Sequence, residues 1–260
     1  MTLRIGIVNL MPRAETYEVT LTRALAASGR AFEPIWLRLD TPAYTSSDRT
    51  RIEQVYVPPS AALDSGLDGL IVSGAPVEDL AYDAVTYWPE LSAQLRLARS
   101  LVRSTLGLCW GGMALAKLLD VEKIGFAKKL FGVYSLEPRG AHPVLNGAAV
   151  LCPQSRHSGL DPVSLSAAVA NGAVRLLAGS EAAGEVILES TDGRYLMHTG
   201  HPEYETERLG FEYRRDAAAG RCDVDPPVGY DLERPVATWA DASATFFRGW
   251  LDGLRKSELA

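Results

Sequence analysis

The chain has 260 residues, 47% apolar and 22% charged, with a formal net charge of −6. That size and balance fit one large α/β domain or two small ones, and the negative charge argues against nucleic acid or an anionic membrane as the main partner. No apolar run reaches bilayer length and Met1-Thr2-Leu3-Arg4-Ile5 lacks the form of a signal peptide, so a cytoplasmic location is expected.

Leu3–Leu10 reads as a buried strand ending in the loop Met11-Pro12-Arg13, so the fold is expected to begin at the N-terminus. Helical spacing runs from Tyr17 to Ser28, with Gly29 as its stop. Phe32–Leu39 reads as a second strand, and the polar stretch Thr41–Ser60 as loop with a short extended piece at Val55-Tyr56-Val57. Asp68–Val72 is a third buried strand, followed by the turn Ser73-Gly74-Ala75-Pro76. A helix is expected from Pro89 to Val102, and then a short apolar run, Ser104-Thr105-Leu106, leads to Cys109. Strands alternating with helices predict an open, doubly wound, mostly parallel α/β sheet of the flavodoxin-like kind. Shorter β-like runs follow at Ala148–Leu151, Val174–Leu177, Glu185–Leu188 and Tyr195–His198, with a hairpin signal at Asp192-Gly193. These are expected to add antiparallel strands to the same sheet. Helices are expected around Glu205–Ala219 and Ala242–Lys256, separated by a loop from Cys222 to Pro235. No repeat or linker divides the chain, so residues 1–260 are read as one domain.

Gly107-Leu108-Cys109-Trp110-Gly111 has the form of a nucleophile elbow with sulfur in place of oxygen. Such a turn forces its central residue into a strained conformation, and flanking glycines let neighbouring backbone pack close. The helix that follows aims its N–H groups and positive dipole end at the sulfur, which favours thiolate. The competing reading is a buried structural cysteine. Cys152 and Cys222 complete an odd set of three with no metal-ligand spacing, so reduced thiols and no metal are expected. A nucleophilic cysteine needs a base, and the base an orienting group. Of the four histidines, His201 in Gly200-His201-Pro202-Glu203 follows a predicted strand, at the sheet edge where Cys109 also lies. Glu203 is placed to orient its ring. His142, His157 and His198 are read as ordinary polar neighbours, His198 facing the other side of its strand.

The chain resembles the class I glutamine amidotransferase-like superfamily through these two motifs. It resembles one branch, the homoserine O-acyltransferases, through a longer series in the same order. That series is Asn9-Leu10-Met11-Pro12, Ser73-Gly74-Ala75-Pro76, Tyr87-Trp88, Cys109-Trp110-Gly111, Lys129–Val133, Ser155-Arg156-His157, Thr199–Tyr204 and Arg215-Asp216. The resemblance implies ping-pong acyl transfer from an acyl-CoA to a small hydroxy amino acid, with Cys109 acylated, His201 as base and Glu203 orienting it. The oxyanion would be held by backbone N–H groups of Trp110 and the Ser73–Ala75 turn, centred on Gly74. Lys129, Ser155 and Arg215 match positions that contact the amino acid, and a guanidinium suits an α-carboxylate. Glu78 matches the position that sorts donors. A carboxylate there goes with acetyl-CoA and glycine with succinyl-CoA, since Glu78 would repel a second carboxylate. No bound cofactor and a homodimer are also implied. Thr238-Trp239 is followed by Ala240-Asp241-Ala242-Ser243 where the family carries basic residues. Homoserine, serine or another hydroxy amino acid therefore stay open as acceptors. O-succinyl transfer, a glutaminase using the same three residues, and a noncatalytic binding protein are the alternatives.

Overall fold

Alternate residues of the first strand face opposite sides of the sheet, as strand geometry requires. In the computed structural model, which describes residues 2–42, 44–147 and 149–255, β1 (Leu3–Val8) sends Leu3, Ile5 and Ile7 into one apolar cluster and Val8 into another. In β3 (Gly69–Val72), Ile71 joins the first cluster while Leu70 and Val72 join the second. The first cluster is covered by α1 (Ala14–Ala27) and α8 (Ala240–Arg255) through Leu21, Leu25, Phe247 and Trp250. The second is covered by α4 (Trp88–Leu101), α5 (Trp110–Lys117) and α6 (Pro162–Ala170), with Leu91, Leu95, Ala114 and Leu165 inside. Helices on both faces of a central sheet are the doubly wound arrangement expected.

The sheet has nine strands in the order β2-β1-β3-β4-β9-β8-β7-β5-β6. Strands β2 (Phe32–Leu37), β1, β3, β4 (Ser104–Leu108) and β9 (Tyr195–His198) pair in parallel. From β9 onward, β8 (Gly184–Ser190), β7 (Val174–Ser180), β5 (Lys123–Pro138) and β6 (Val150–Leu160) pair antiparallel. The antiparallel additions are thus as numerous as the parallel ladders. The β8–β9 hairpin turns at Asp192-Gly193, where Gly193 takes φ 70°. Helix α7 (Arg208–Ala218) precedes the irregular stretch from Cys222 to Pro235, as expected.

Several expectations are corrected. The Thr41–Ser60 stretch holds α2 (Arg49–Val55) and the start of α3 (Pro59–Asp64). The Asp48 side chain caps α2 by accepting from the N–H groups of Thr50 and Arg51. Val55 closes that helix, and only Val57 is bridged to the sheet, beside Leu37. The sixteen-residue β5 and the helix α6 were not anticipated. Strands β1 and β2 stop at Val8 and Leu37, α1 starts at Ala14, and α7 spans less than Glu205–Ala219. β6 extends to Leu160, well beyond Leu151, while Ala148 and Lys256 lie outside the described residues. Among the described residues, no helix is long and apolar enough to cross a membrane.

Four neighbouring parallel strands, β1, β3, β4 and β9, release their C-terminal loops side by side, and β4 turns into α5 under close backbone contact. A Cβ at position 107 would lie 2.3 Å from the Gly111 carbonyl oxygen, a contact that backbone cannot yield to. Gly107→Ala is expected to lower stability by about 1–3 kcal/mol or more, read as a drop in Tm of roughly 2–4 °C per kcal/mol. Gly125→Ala, where nothing lies within 4 Å, should change stability by no more than about 0.5 kcal/mol.

Candidate active site

Cys109 sits between β4 and α5 with φ 51° and ψ −116°, a conformation unfavourable for any residue bearing a Cβ. The surroundings over-determine it. The Cys109 N–H donates to the His198 carbonyl at 2.8 Å, and its own carbonyl accepts from Met113 N–H at 3.2 Å. A Cβ on Gly111 would lie 2.3 Å from the Val72 carbonyl oxygen, and one on Gly112 2.9 Å from that of His198. The turn is therefore wedged between β3 and β9. Gly74, just past β3, lies beside the sulfur, its Cβ position 3.9 Å from Cys109 Sγ. The Trp110 side chain is fully buried against Tyr82, Tyr87 and Trp88, so its backbone N–H is the group at the turn.

His201 follows β9 and is 4% exposed. Its Nδ1–H donates to Glu203 Oε1 at 2.9 Å, and the Cys109 sulfur is near enough to act on the ring. The Tyr204 ring stacks on it at 4.1 Å and 22°. Burial by itself would lower the imidazole, yet the Cys109 and Glu203 charges and hydrogen bonds outweigh burial and hold it well above its ordinary value. Cys109, His201 and Glu203 are thus brought together as the motif spacing anticipates.

A cavity of about 770 Å³ opens over this group, within the range for a small-molecule site. Gly74, Glu78, Cys109, His201, Lys129, Ser155 and Arg215 all line it. A register shift in β5 between Gly125 and Leu130 bulges Lys129 out of the ladder opposite β6, which carries Ser155. Lys129 is buried and already paired, with Asp216 at 2.9 Å and Glu212 at 3.4 Å, and lies over the Phe131 ring. Arg215 stays exposed, its Nε donating to Asp216 Oδ1 at 2.7 Å.

Glu212 is a residue that motif reading missed. It is 3% exposed and accepts from Ser155 Oγ, Tyr204 Oη and Arg208 Nε. Burial would raise its carboxyl, but Arg208, Lys129 and the Ser155 hydroxyl hold it down to about 2. The signal available was the i, i+4 series Arg208, Glu212, Asp216 on one helix face. His157, read as an ordinary neighbour, lines the cavity and spans Glu78 Oε1 at 3.4 Å and Asp223 Oδ2 at 3.0 Å. His198 is buried away from the sulfur of Cys109, against Phe246 and 3.8 Å from Cys152 Sγ. Its pKa falls to about 3, through burial first and His201 second. His142 pairs with Glu189, outside the cavity. Among the described residues, no three His, Cys, Asp or Glu side chains are grouped to hold a metal.

Comparison with known proteins agrees with this geometry. The fold is similar to a glutamine amidotransferase from Methylobacillus flagellatus (TM-score 0.62, 15% identity, 100% of this chain and 98% of that one). It is also similar to the glutaminase domain of Trypanosoma brucei CTPS (TM-score 0.61, 11% identity, covering 100% and 96%). In sequence the chain is similar to homoserine O-acetyltransferases. That of Bacillus licheniformis is 34% identical over 265 residues, covering 96% of this chain and 84% of that protein. That of Lachnoclostridium phytofermentans is 32% identical over 259 residues, covering 96% and 85%. The family model described as homoserine O-succinyltransferase matches residues 1–257. The chain belongs to this family of homoserine O-acyltransferases, built on the class I glutamine amidotransferase-like fold.

Proposed function

We propose that the protein transfers an acetyl group from acetyl-CoA to the side-chain hydroxyl of homoserine, with serine as the alternative acceptor, through an acetyl-Cys109 intermediate. The observation that carries this reading is the His201 ring, paired with Glu203 through Nδ1 and raised by the neighbouring Cys109 sulfur, both residues lining a cavity of about 770 Å³. The sheet that continues through all nine strands supports reading the chain as one acyltransferase domain.

In the first half-reaction the Cys109 thiolate attacks the thioester carbonyl, and the His201 imidazolium gives its proton to the departing CoA sulfur. The backbone N–H groups of Trp110 and Gly74 are the proposed donors to the oxyanion. Acylation then removes the Cys109 charge and its hydrogen bond, both of which raise His201. Burial and Glu203 remain as opposing influences, so the imidazole becomes easier to deprotonate at the stage where a base is required. It takes the proton of the acceptor hydroxyl as that oxygen attacks the acetyl carbonyl. Collapse releases the ester and returns the proton toward the cysteine.

The amino-acid end of the acceptor is assigned to Arg215, Lys129 and Ser155. Exposed Arg215 suits the α-carboxylate, and Lys129 and Ser155 fix Glu212, whose buried negative charge suits the α-ammonium. Homoserine is the acceptor named for the relatives. One methylene separates it from serine, worth only about 1–3 kcal/mol of discrimination. Acetyl is favoured over succinyl by Glu78, whose Oε2 is buried in the cavity wall without a hydrogen-bond partner. The buried Arg156 guanidinium lies within its field and hydrogen-bonds only neutral groups.

Incubation with acetyl-CoA should add one acetyl group to the intact mass of the wild type and none to Cys109→Ala, while glutamine releases no ammonia. Acetyl transfer undiminished in Cys109→Ala would rule out the covalent route. Glu78→Gly should raise succinyl-CoA use relative to acetyl-CoA by about tenfold or more, because the carboxylate that repels succinyl's own is then gone from the cavity wall. An unchanged donor ratio would remove Glu78 from that role. Glu203→Gln deletes a charge that raises His201, so the imidazole pKa must fall. The acidic limb of the pH profile for transfer from acetyl-enzyme to acceptor should move to lower pH, with the maximal rate reduced roughly 10²-fold or more. A limb displaced upward would contradict the assignment.

A further inference from the structure

His157 stands on β6 two residues beyond Ser155, and both residues line the cavity that holds Cys109. Alternate residues of a strand share a face, so the sheet itself presents this imidazole to the site. Its Nδ1 lies 3.4 Å from Glu78 Oε1 and its Nε2 3.0 Å from Asp223 Oδ2. Arg221 Nη2 stands 3.1 Å from the same Nε2, and Arg221 Nε donates to Asp223 Oδ1 at 3.0 Å. A carboxylate only accepts, so the nitrogen that faces Glu78 must carry a proton. Nε2 has an acceptor in Asp223 and a donor in Arg221, and is served with or without a proton. The imidazole is thus anchored through Nε2 and offers an N–H to Glu78. Glu78 sits on the irregular stretch after β3, and Lys123 Nζ donates to its backbone carbonyl, a contact that survives loss of the side chain.

We propose that the His157 Nδ1–H is a binding site for the distal carboxylate of a dicarboxylic acyl-CoA, a site that Glu78 fills from within the chain. This role rests on the acetyl-cysteine reading above, within which Glu78 sorts donors, and it makes His157 a second specificity-determining residue. Charge favours a one-for-one exchange. Glu78 stands here with Asp79 and Asp223, against Lys123 and Arg221. Loss of the Glu78 side chain takes away one negative charge, and a bound carboxylate restores it. A charge-assisted N–H···O⁻ bond is roughly twice as strong as a neutral one, so a carboxylate gains from the imidazole what an alkyl chain cannot. An uncharged acyl chain of the same length needs only the space that Glu78 vacates. Space and recognition are therefore separable at this site, and the thioester chemistry at Cys109 is the same in either case.

The test compares succinyl-CoA with butyryl-CoA, an uncharged donor of the same chain length, by acylation of Cys109 followed as intact mass in a single turnover. Glu78→Gly should admit both. Adding His157→Gln places an amide near the Nε2 position, which keeps a partner for Asp223 and leaves the Nδ1 position empty. The succinyl-to-butyryl rate ratio should then fall by about tenfold or more relative to Glu78→Gly, the usual effect of losing a hydrogen bond to a charged group. His157→Asn in the same background places its amide near Nδ1 instead and should hold the ratio within about threefold. A ratio indifferent to residue 157, or one that falls alike with Gln and Asn, would overturn the subsite. Refusal of both donors by Glu78→Gly would overturn it too, by removing Glu78 from the acyl pocket. A wild type that takes up no acetyl group from acetyl-CoA would instead overturn the acetyl-cysteine reading, so the failures are told apart.

Discussion

Backbone lies against backbone at the turn from β4 into α5, with no side chain between. Gly107 meets the backbone of Gly111, Gly111 meets Val72, and Gly112 meets His198, each at a distance that excludes a Cβ. Because those contacts come from both neighbouring strands, the elbow is held from two sides and Cys109 has no route to a relaxed conformation. The same contacts set the spacing of β3, β4 and β9, and so the spacing of Gly74, Cys109 and His201 at their ends. Placement of the sulfur and construction of the central sheet are one packing problem.

Charge is arranged around that rigid centre in two buried groups. One is His201 between Glu203 and Cys109, where opposite charges hold an imidazolium that burial would otherwise discharge. The other is Glu212, surrounded by Arg208, Lys129, Ser155 and Tyr204. Tyr204 joins them, stacking its ring on His201 while its hydroxyl donates to Glu212. A substrate that alters charge at the sulfur therefore removes one of the influences that hold the imidazole above its ordinary value. In the proposed acyl transfer, that loss lets one imidazole serve first as acid and then as base.

What was legible in the sequence followed physical strength of signal. Buried parallel strands with uniform apolar runs, such as Leu3–Val8 and Gly69–Val72, were read correctly because nothing but a core accounts for them. The strand β5 was missed because Gly125, Gly132 and the pair Lys128-Lys129 break its alternation, and the bulge at that pair is what turns Lys129 inward. Short helices α2 and α6 were missed although Asp48 and Asp161-Pro162 carry start signals. Seven or nine residues offer too few turns for periodicity to register against a loop-like composition.

The residue types and their local spacing determined the chemistry available to this chain. A cysteine between glycines and a His-x-Glu after a strand carry their own stereochemical demands, which hold wherever those segments fold. Tertiary structure alone decided which charges meet. Lys129, matched in the sequence to a position that contacts the amino acid, is paired with Glu212 and Asp216 from a helix more than eighty residues away, and His157 is drawn between Glu78 and Asp223. Local sequence specifies backbone conformation, but Coulomb and hydrogen-bond partners depend on distances that only the packed sheet and its helices set. The elbow could therefore be read from five residues, whereas its surroundings required the fold.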